Sequence, residues 1–267
     1  MIGLVALDMD GTLMGDDLLV SPRVQRAIGG AQERGVVVTL ATGRMLDFVI
    51  PFAQDLGITA PLICYQGGLI QVLDSDHPLY RATMDPGLAR EVLEWQAQHR
   101  WHIVFYAGDD VFLTEQRHPK EFYHDMIGER LVFVDDLFSV LEQHEPIKFV
   151  LTAEPAEADR IEAEMRRHFE GRMEVVRSHA MFVEGNPLGV SKEDALRRLA
   201  IHLGIPQAQV MAIGDQGNDA GMIAWAGVGV AMGDGSPAAK AVADWIAPPL
   251  AEDGAAVAIE RFVLEGS

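Results

Sequence analysis

Short apolar runs alternate with amphipathic segments at the beginning of this chain. The runs Ile2–Leu7, Val36–Ala41 and Pro61–Tyr65 are almost entirely apolar, which is typical of strands buried on both faces of a parallel sheet. Ser21-Pro22 offers an N-cap and a proline at the first helical position, which predicts a helix between the first two strands. The helical pattern after the second strand contains Pro51, which predicts a kink or a late helix start.

The rhythm changes over residues 84–187. Helices are predicted from Asp85 to about His99 and from Pro155 to Phe169, and short strands lie between and after them. That order favours an α+β domain with its own sheet. The β-α alternation returns over residues 188–267. The simplest architecture is therefore a parallel-sheet core, formed by residues 1–83 and 188–267, that is interrupted by an inserted domain.

Composition narrows the range of partners. The 267 residues are 49% hydrophobic and 23% charged, as in ordinary globular proteins. No apolar stretch approaches the ~20 residues of a membrane span, and the first residues lack the basic region of a signal peptide. The net charge of −19 argues against nucleic-acid and anionic-membrane partners, and it requires any phosphate site to be locally cationic. The single cysteine, Cys64, suits a reducing cytoplasm, and its apolar neighbours favour a buried thiol over a nucleophile.

Two carboxylates stand where the first strand is expected to end. Asp8 and Asp10 follow the apolar run, and residues two apart on a strand share a face. We therefore expect both side chains to converge just beyond the sheet edge, where open parallel sheets bind ligands. Close carboxylates repel unless a cation or a shared proton intervenes. Gly11 permits a tight turn, and Thr12 adds a hydroxyl.

A second acidic segment follows another buried strand. Asp215 and Asp219 come after the apolar run Val210–Ile213, and their hard oxygen ligands suit Mg²⁺. The alternative is an acidic turn that caps the next helix. The scattered histidines lack the spacing of a zinc site, and the sequence contains neither a Walker A nor a G-x-G-x-x-G motif.

Two cationic segments carry weaker signals. Thr42 can donate a hydrogen bond and Arg44 can clamp an oxyanion, although Thr42-Gly43-Arg44 is equally typical of a capped helix start. Lys192 follows the candidate N-cap Ser191, in a first helical turn where the helix dipole mildly disfavours a cation. That cost indicates a charge-balancing role, whereas a lysine taken alone is more often a surface residue.

Taken in order, these four segments resemble the four motifs of haloacid dehalogenase (HAD) phosphatases. The run Asp8–Leu13 is similar to the nucleophile motif of that superfamily. The long insertion between the second and third motifs resembles the C2-type cap, and its element order resembles the C2B version of Cof-type hydrolases. The resemblance spans essentially the whole chain. It implies an α/β fold, with a Rossmann-like parallel-sheet HAD core and an inserted α+β cap domain at residues 84–187.

The resemblance also implies residue roles. Asp8 would be the nucleophile that forms an aspartyl-phosphate, and Asp10 would be the general acid and then the general base. Mg²⁺ would be held by the Asp8 carboxylate, the Asp10 main-chain carbonyl and the Asp215 carboxylate. Asp219 would orient the lysine or the metal's water shell. The residues implied to bind or shape the phosphate site are Thr12, Thr42, Gly43, Arg44, Lys192 and Asn218.

Two positions depart from the pattern of the Cof-type members. Gln66 stands where they usually carry asparagine before glycine, and Glu193 follows the lysine where glycine is frequent. Neither belongs to the implied core chemistry. Gln66 places the substrate-side contact in question.

The expected activity is Mg²⁺-dependent hydrolysis of a small phosphorylated metabolite, such as a sugar phosphate. We expect a cytoplasmic monomer or small homo-oligomer with no nucleic-acid or membrane partner. Two alternatives stay open, a phosphomutase and a catalytically weak binding or regulatory protein on the same scaffold. The intact set of Asp8, Asp10, Lys192 and Asp215 favours an enzyme.

Overall fold

The structure is a computed structural model that describes residues 1–73, 75, 77–127 and 130–265, with the backbone alone at 124–126. It divides into two compact units, Met1–Tyr80 with Ser191–Ser267, and Arg81–Val190. The second unit is the inserted one, and its ends lie three residues from the expected ends at 84 and 187. The predicted fold class, an α/β parallel-sheet core with an additional α+β sheet domain, is confirmed.

The N-terminal part of the chain begins with the expected alternation. Ser21 caps the first helix, because its Oγ accepts a 3.2 Å hydrogen bond from the Val24 N–H. The second helix begins well before Pro51, so the late-start alternative is wrong. The elements of this part are β1 (Leu4–Leu7), α1 (Pro22–Glu33), β2 (Val37–Leu40), α2 (Leu46–Asp55), β3 (Leu62–Cys64), β4 (Leu69–Gln71) and β5 (Tyr80–Arg81).

The inserted unit has a six-stranded sheet of its own, in the order β10-β11-β9-β6-β7-β8, whose pairs are antiparallel except for β7 with β8. One face of this sheet packs into a core that includes Phe105, Phe149 and Val183. The elements of this unit are α3 (Pro86–His99), β6 (His102–Ala107), β7 (Asp110–Leu113), α4 (Lys120–Ile127), β8 (Leu131–Phe133), α5 (Leu137–Leu141), β9 (Pro146–Thr152), α6 (Pro155–His168), β10 (Met173–His179) and β11 (Phe182–Pro187).

The C-terminal part completes the first unit. Its helices and strands are α7 (Lys192–Leu203), β12 (Val210–Gly214), α8 (Ala220–Trp225), β13 (Val228–Ala231), α9 (Pro237–Val242), β14 (Trp245–Ile246) and α10 (Gly254–Ile259), followed by a π-helical segment at Glu260–Leu264. Its sheet has the order β14-β13-β12-β1-β2, and every pair is parallel. The part of the chain that the structure describes contains no helix with the length and apolarity to cross a membrane.

The central position of β1 in the parallel sheet determines where the polar residues after the strands come together. All of its residues are buried, and it pairs with β12 on one side and with β2 on the other. Its last residue, Leu7, pairs with Ile213, the residue before the last of β12, and with Leu40, the last residue of β2. The polar residues that follow these three strands therefore emerge at one edge of the sheet.

Candidate active site

Three buried carboxylates meet at this edge. Asp8, Asp215 and Asp219 each offer an oxygen atom within 4.8 Å of the others, and all three side chains are buried. Thr12 donates a 3.2 Å hydrogen bond from Oγ1 to Oδ1 of Asp215. Asp219 accepts 3.0 Å hydrogen bonds at Oδ2 from the main-chain N–H groups of Asp215 and Gln216. The main chain of the loop after β12 therefore holds the Asp219 carboxylate in place.

Gly11 is required where the two acidic segments meet. Its φ is +84°, in the left-handed region, and a Cβ there would lie 2.5 Å from Oδ2 of Asp215. A side chain at this position would displace the carboxylate of the neighbouring loop. The close approach of the two loops thus depends on the missing side chain.

Lys192 is the cation of the cluster. It is the first residue of α7, whose N-cap Ser191 accepts a hydrogen bond from the Asp194 N–H. Its Nζ lies 2.5 Å from Oδ1 of Asp8 and 2.6 Å from Oδ1 of Asp219, and the residue is 2% exposed. The interpretation of Lys192 as a surface lysine is therefore wrong.

The electrostatics of the cluster follow from burial and like charge. Burial, and next the charge of Asp219, raises the pKa of Asp8 well above its usual value, while Lys192 opposes the shift. Burial and Asp219 raise the pKa of Asp215 to about 6. Burial lowers the pKa of Lys192, but Asp219 and Asp8 outweigh it and the net shift is upward.

The donor set suits a hard divalent cation. Three carboxylates against one ammonium leave an excess of negative charge at full ionisation, and like charges at this distance repel unless a cation or a proton intervenes. Carboxylate oxygens are the ligands that Mg²⁺ and Ca²⁺ prefer. Asp8, Asp215 and Asp219 are therefore side chains that could hold a metal ion.

Asp10 takes a different partner from Asp8. Its carboxylate accepts hydrogen bonds from Arg44, at 2.7 Å from Nη2 and 2.9 Å from Nε, and its side chain is 47% exposed. The guanidinium of Arg44 also stacks 3.9 Å from the ring centre of Phe48. β1 ends at Leu7 and the chain then turns, so the period of two no longer relates Asp8 to Asp10.

The second motif lies at the end of β2. Thr42 is buried, and its Oγ1 accepts a 3.2 Å hydrogen bond from the Arg44 N–H. Gly43 packs against the side-chain amide of Gln66, whose Nε2 would lie 2.3 Å from a Cβ at Gly43. The predicted second-motif residues thus reach the same sheet edge as Asp8. Thr42 and Gly43 both contact Gln66, which in the sequence stood out only because it departs from the Cof-type pattern.

Gln66 joins two motifs that are distant in sequence. Its main-chain N–H donates a 3.0 Å hydrogen bond to the Thr42 carbonyl, and its Oε1 accepts a 3.0 Å hydrogen bond from Nδ2 of Asn218. Within the described residues, Oδ1 of Asn218 is buried and has no hydrogen-bond partner. Glu193, the other departure, lies beside Gly221 of α8.

Comparison with known proteins agrees with this arrangement. A family model for haloacid dehalogenase-like hydrolases matches residues 5–259. The chain is 32% identical over 264 residues to the 5-amino-6-(5-phospho-D-ribitylamino)uracil phosphatase YcsE of Bacillus subtilis, covering 98% of this chain and 96% of that protein. It is 33% identical over 247 residues to the HMP-PP phosphatase of Serratia proteamaculans, covering 91% and 88%. A solved haloacid dehalogenase-like hydrolase from Bacteroides thetaiotaomicron superposes with a TM-score of 0.85 at 28% identity, covering 98% and 100%.

Proposed function

We propose, from the premise that this chain belongs to the haloacid dehalogenase-like hydrolase family, that it hydrolyses a small phosphorylated metabolite with Asp8 as nucleophile and Mg²⁺ as cofactor. The chain is a phosphatase, as its relatives in this family are. The observation that carries the proposed mechanism is the buried contact of Lys192 with both Asp8 and Asp219.

Asp8 attacks phosphorus in this proposal. Lys192 holds one carboxylate oxygen, Oδ1, which orients the side chain and leaves Oδ2 as the nucleophile. Attack forms the bond between Oδ2 and phosphorus and breaks the bond between phosphorus and the ester oxygen, giving an aspartyl-phosphate. Water then attacks phosphorus, inorganic phosphate leaves and the Asp8 carboxylate is restored.

Asp10 supplies and then removes the proton. As a carboxylic acid it protonates the leaving ester oxygen in the first step, and as a carboxylate it accepts a proton from the attacking water in the second. Half of its side chain is exposed, and Arg44 holds it by hydrogen bonds from Nε and Nη2. Arg44 thus positions the general acid, and Asp10 exchanges one of these contacts for the leaving oxygen.

A metal ion has a site in the carboxylate cluster. The Asp8 carboxylate, the Asp215 carboxylate and the Asp10 main-chain carbonyl would hold it, with Thr12 and Asp219 orienting Asp215. A bound Mg²⁺ supplies positive charge that offsets repulsion between the carboxylates and an anionic phosphoryl group. Thr42, Lys192 and Asn218 bind phosphoryl oxygens in this proposal, and Gly43 and Arg44 shape the rim.

The leaving group is the part of the substrate that these residues do not select. The inserted unit, Arg81–Val190, is the segment of sufficient size to do so, and we assign it that role as a cap. The relatives named above act on phosphorylated metabolites according to their names, which supports a small substrate such as a sugar phosphate. A cytoplasmic monomer or small homo-oligomer suits this activity.

A phosphatase assay tests the proposal. The purified chain is treated with EDTA, and hydrolysis of p-nitrophenyl phosphate is then measured with and without added Mg²⁺. We expect hydrolysis only with Mg²⁺, release of inorganic phosphate into water, and a trapped phosphoryl group on the peptide that contains Asp8. Full activity after chelation would exclude the metal, and a phosphoryl group trapped elsewhere would exclude Asp8 as the nucleophile.

A further inference from the structure

The side chain of Arg44 is in contact with an aromatic ring as well as with the Asp10 carboxylate. Its guanidinium carbon lies over the ring of Phe48, 3.9 Å from the ring centre. Its Nη2 lies 2.7 Å from Oδ1 of Asp10, and its Nε lies 2.9 Å from Oδ2. The ring therefore covers the guanidinium while the edge formed by Nε and Nη2 donates to the carboxylate.

The main chain around this contact is held by hydrogen bonds. Arg44 lies between β2 and α2, and Phe48 is the third residue of α2. The Arg44 N–H donates a 3.2 Å hydrogen bond to Oγ1 of Thr42, and the Arg44 carbonyl accepts a 3.1 Å hydrogen bond from the Tyr65 N–H. The backbone thus fixes where the Arg44 side chain starts, and its direction depends on what the side chain contacts.

A ring beneath the guanidinium limits the orientations that Arg44 can adopt. Arginine has a long side chain with many rotamers, and ordering it costs conformational entropy. Its planar group can stack on an aromatic face and still donate from its edge in a fixed fork. The Arg44 side chain is only 17% exposed, which strengthens the attraction of the cation to the ring. The contact with Phe48 therefore stabilises the orientation that the two-point contact with Asp10 requires.

The carboxylate of Asp10 is open to water, since its side chain is 47% exposed. An exposed side chain samples several rotamers unless a contact selects one of them. A general acid has to lie within hydrogen-bond reach of the oxygen that it protonates. The orientation of Arg44 therefore bears on how often Asp10 is in position.

The ring of Phe48 has a neighbour on the same helix. Phe52 stacks on it with ring centres 5.4 Å apart and an angle of 28° between the planes. Residues four apart lie on the same face of a helix, so both rings belong to one face of α2. Phe52 thus offers a ring of the same kind for comparison.

We propose that Phe48 is a positioning residue for acid catalysis, because its ring orients Arg44 and Arg44 holds Asp10 where the leaving group is protonated. As the bond between phosphorus and the ester oxygen breaks, its electron pair stays on the oxygen. That oxygen then takes the proton of the Asp10 carboxylic acid. This inference rests on the proposed function, since it takes Asp10 as the general acid.

The test compares p-nitrophenyl phosphate with phenyl phosphate in the presence of Mg²⁺. The two esters are similar in shape, but phenolate is the more basic leaving group and gains more from a proton. Values of kcat/KM include only the steps up to departure of the leaving group, so hydrolysis of the aspartyl-phosphate does not contribute. We expect Phe48→Leu to lower kcat/KM for phenyl phosphate by about three- to tenfold more than for p-nitrophenyl phosphate, the size of one cation–π contact. Phe48→Tyr keeps an aromatic face and should keep the wild-type ratio.

Phe52→Leu is the matched control for the loss of packing on α2. It should lower the unfolding temperature as Phe48→Leu does, but it should keep the ratio of the two kcat/KM values. If Phe48→Leu lowers kcat/KM equally for both esters, or if Phe52→Leu alters the ratio as much, the ring serves only the packing of α2 and the inference is wrong. Phe48→Met provides the same comparison if the leucine variant does not fold.

A second variant tests whether Phe48 acts through Arg44. Arg44→Lys keeps the positive charge but lacks the planar group and its two-point edge. In that background Phe48→Leu should leave the ratio of the two kcat/KM values unchanged, because residues that act through one contact are not additive. A further loss of the same size for phenyl phosphate would contradict the inference.

Asp10→Asn separates this inference from the proposed function. It should lower kcat/KM for phenyl phosphate relative to p-nitrophenyl phosphate by more than any Phe48 variant does. If Asp10→Asn changes the ratio and Phe48→Leu does not, only the role of Phe48 is wrong. If Asp10→Asn leaves the ratio unchanged, Asp10 is not the general acid and both proposals are wrong on this point.

Discussion

The side-chain amide of Asn218 donates a 3.0 Å hydrogen bond to Oε1 of Gln66, which lies 152 positions earlier in the sequence. The main chain of Gln66 is in turn bonded to Thr42 and adopts a left-handed conformation with φ of +58°. Gln66 is thus in contact with both the second and the fourth motif.

Replacing Gln66 should disturb both motifs. Gln66→Leu leaves the amide of the partly buried Asn218 without this partner, so we expect the free energy of unfolding to fall by about 1–3 kcal/mol and KM for p-nitrophenyl phosphate to rise. Gln66→Asn is the matched control, because asparagine tolerates the left-handed backbone and keeps an amide. Urea denaturation and steady-state kinetics measure the two effects. Identical unfolding and KM for Gln66→Leu and the wild type would contradict the role given to this contact.

Asparagine substitutions of Asp8 and Asp10 should distinguish the nucleophilic step from acid–base catalysis. Asp8→Asn should abolish turnover, because an amide cannot form the acyl phosphate. Asp10→Asn keeps the main-chain carbonyl but loses proton transfer, so kcat should fall by about 10²–10⁴-fold. Rapid-quench measurement of phosphoenzyme and of released phosphate follows both steps. Near-normal turnover of Asp8→Asn would refute its assignment as the nucleophile.

Alanine substitutions at Gly11 and Gly35 distinguish the effect of backbone strain from the effect of a collision with Asp215. Their φ angles are +84° and +78°, but a Cβ at Gly35 would meet nothing within 4 Å, whereas one at Gly11 would collide with Asp215. Alanine at either position should cost about 1–2 kcal/mol of stability through the left-handed backbone. Only Gly11→Ala should also weaken Mg²⁺ activation. Equal Mg²⁺ dependence in the two variants would show that Gly11 does not shape the cluster.

Metal activation should weaken in acid. The pKa of Asp215 is raised to about 6 by burial and by Asp219, so a proton competes with the metal for this carboxylate as the pH falls through 6. Below that value the apparent Kd for Mg²⁺ should rise by up to about tenfold per pH unit for this one site. Activity titrated with Mg²⁺ at pH 5, 6 and 7.5 measures the change. A Kd that does not vary over this range would argue against Asp215 as a ligand.

The raised pKa of Asp215 also makes the free energy of unfolding depend on pH. A carboxyl group whose pKa is higher in the folded than in the unfolded state binds more protons when folded, so stability falls as the pH rises from about 4 to 6. A metal ion bound to the ionised cluster offsets that loss by mass action. Mg²⁺ should therefore raise the unfolding temperature more at pH 7.5 than at pH 5, as differential scanning fluorimetry can show. Calcium is the comparison cation. An equal rise in the unfolding temperature on addition of Mg²⁺ at pH 7.5 and at pH 5 would contradict the linkage.

The features that the sequence predicted well are local ones. The starts of α1 and α3 follow from side chains that bond to nearby main-chain N–H groups, Ser21 to Val24 and Asp85 to Leu88. Such caps act within one helical turn, so a single sequence contains the information. The apolar run Ile2–Leu7 likewise predicted the buried central strand of the sheet.

Contacts between residues that are distant in sequence were harder to predict from the sequence. The contact of Asp10 with Arg44 depends on the turn that follows Leu7 and on the position of β2 beside β1, which the apolar runs do not specify. The burial of Lys192 depends on carboxylates that follow β1 and β12, and only the resemblance to a family related these segments in advance. The contact of Gln66 with Asn218 had one signal, the departure from the asparagine that Cof-type members usually carry.

The ring of Phe149, which fills the space above Gly185, makes the inserted sheet suitable for redesign. A larger residue at 185 would require a smaller one at 149, so these two positions should vary together among active sequences. Lys148, Glu184 and Asn186 project from the other face and are free of that constraint. Substitutions on that face would therefore leave the contact between Gly185 and Phe149 as it is.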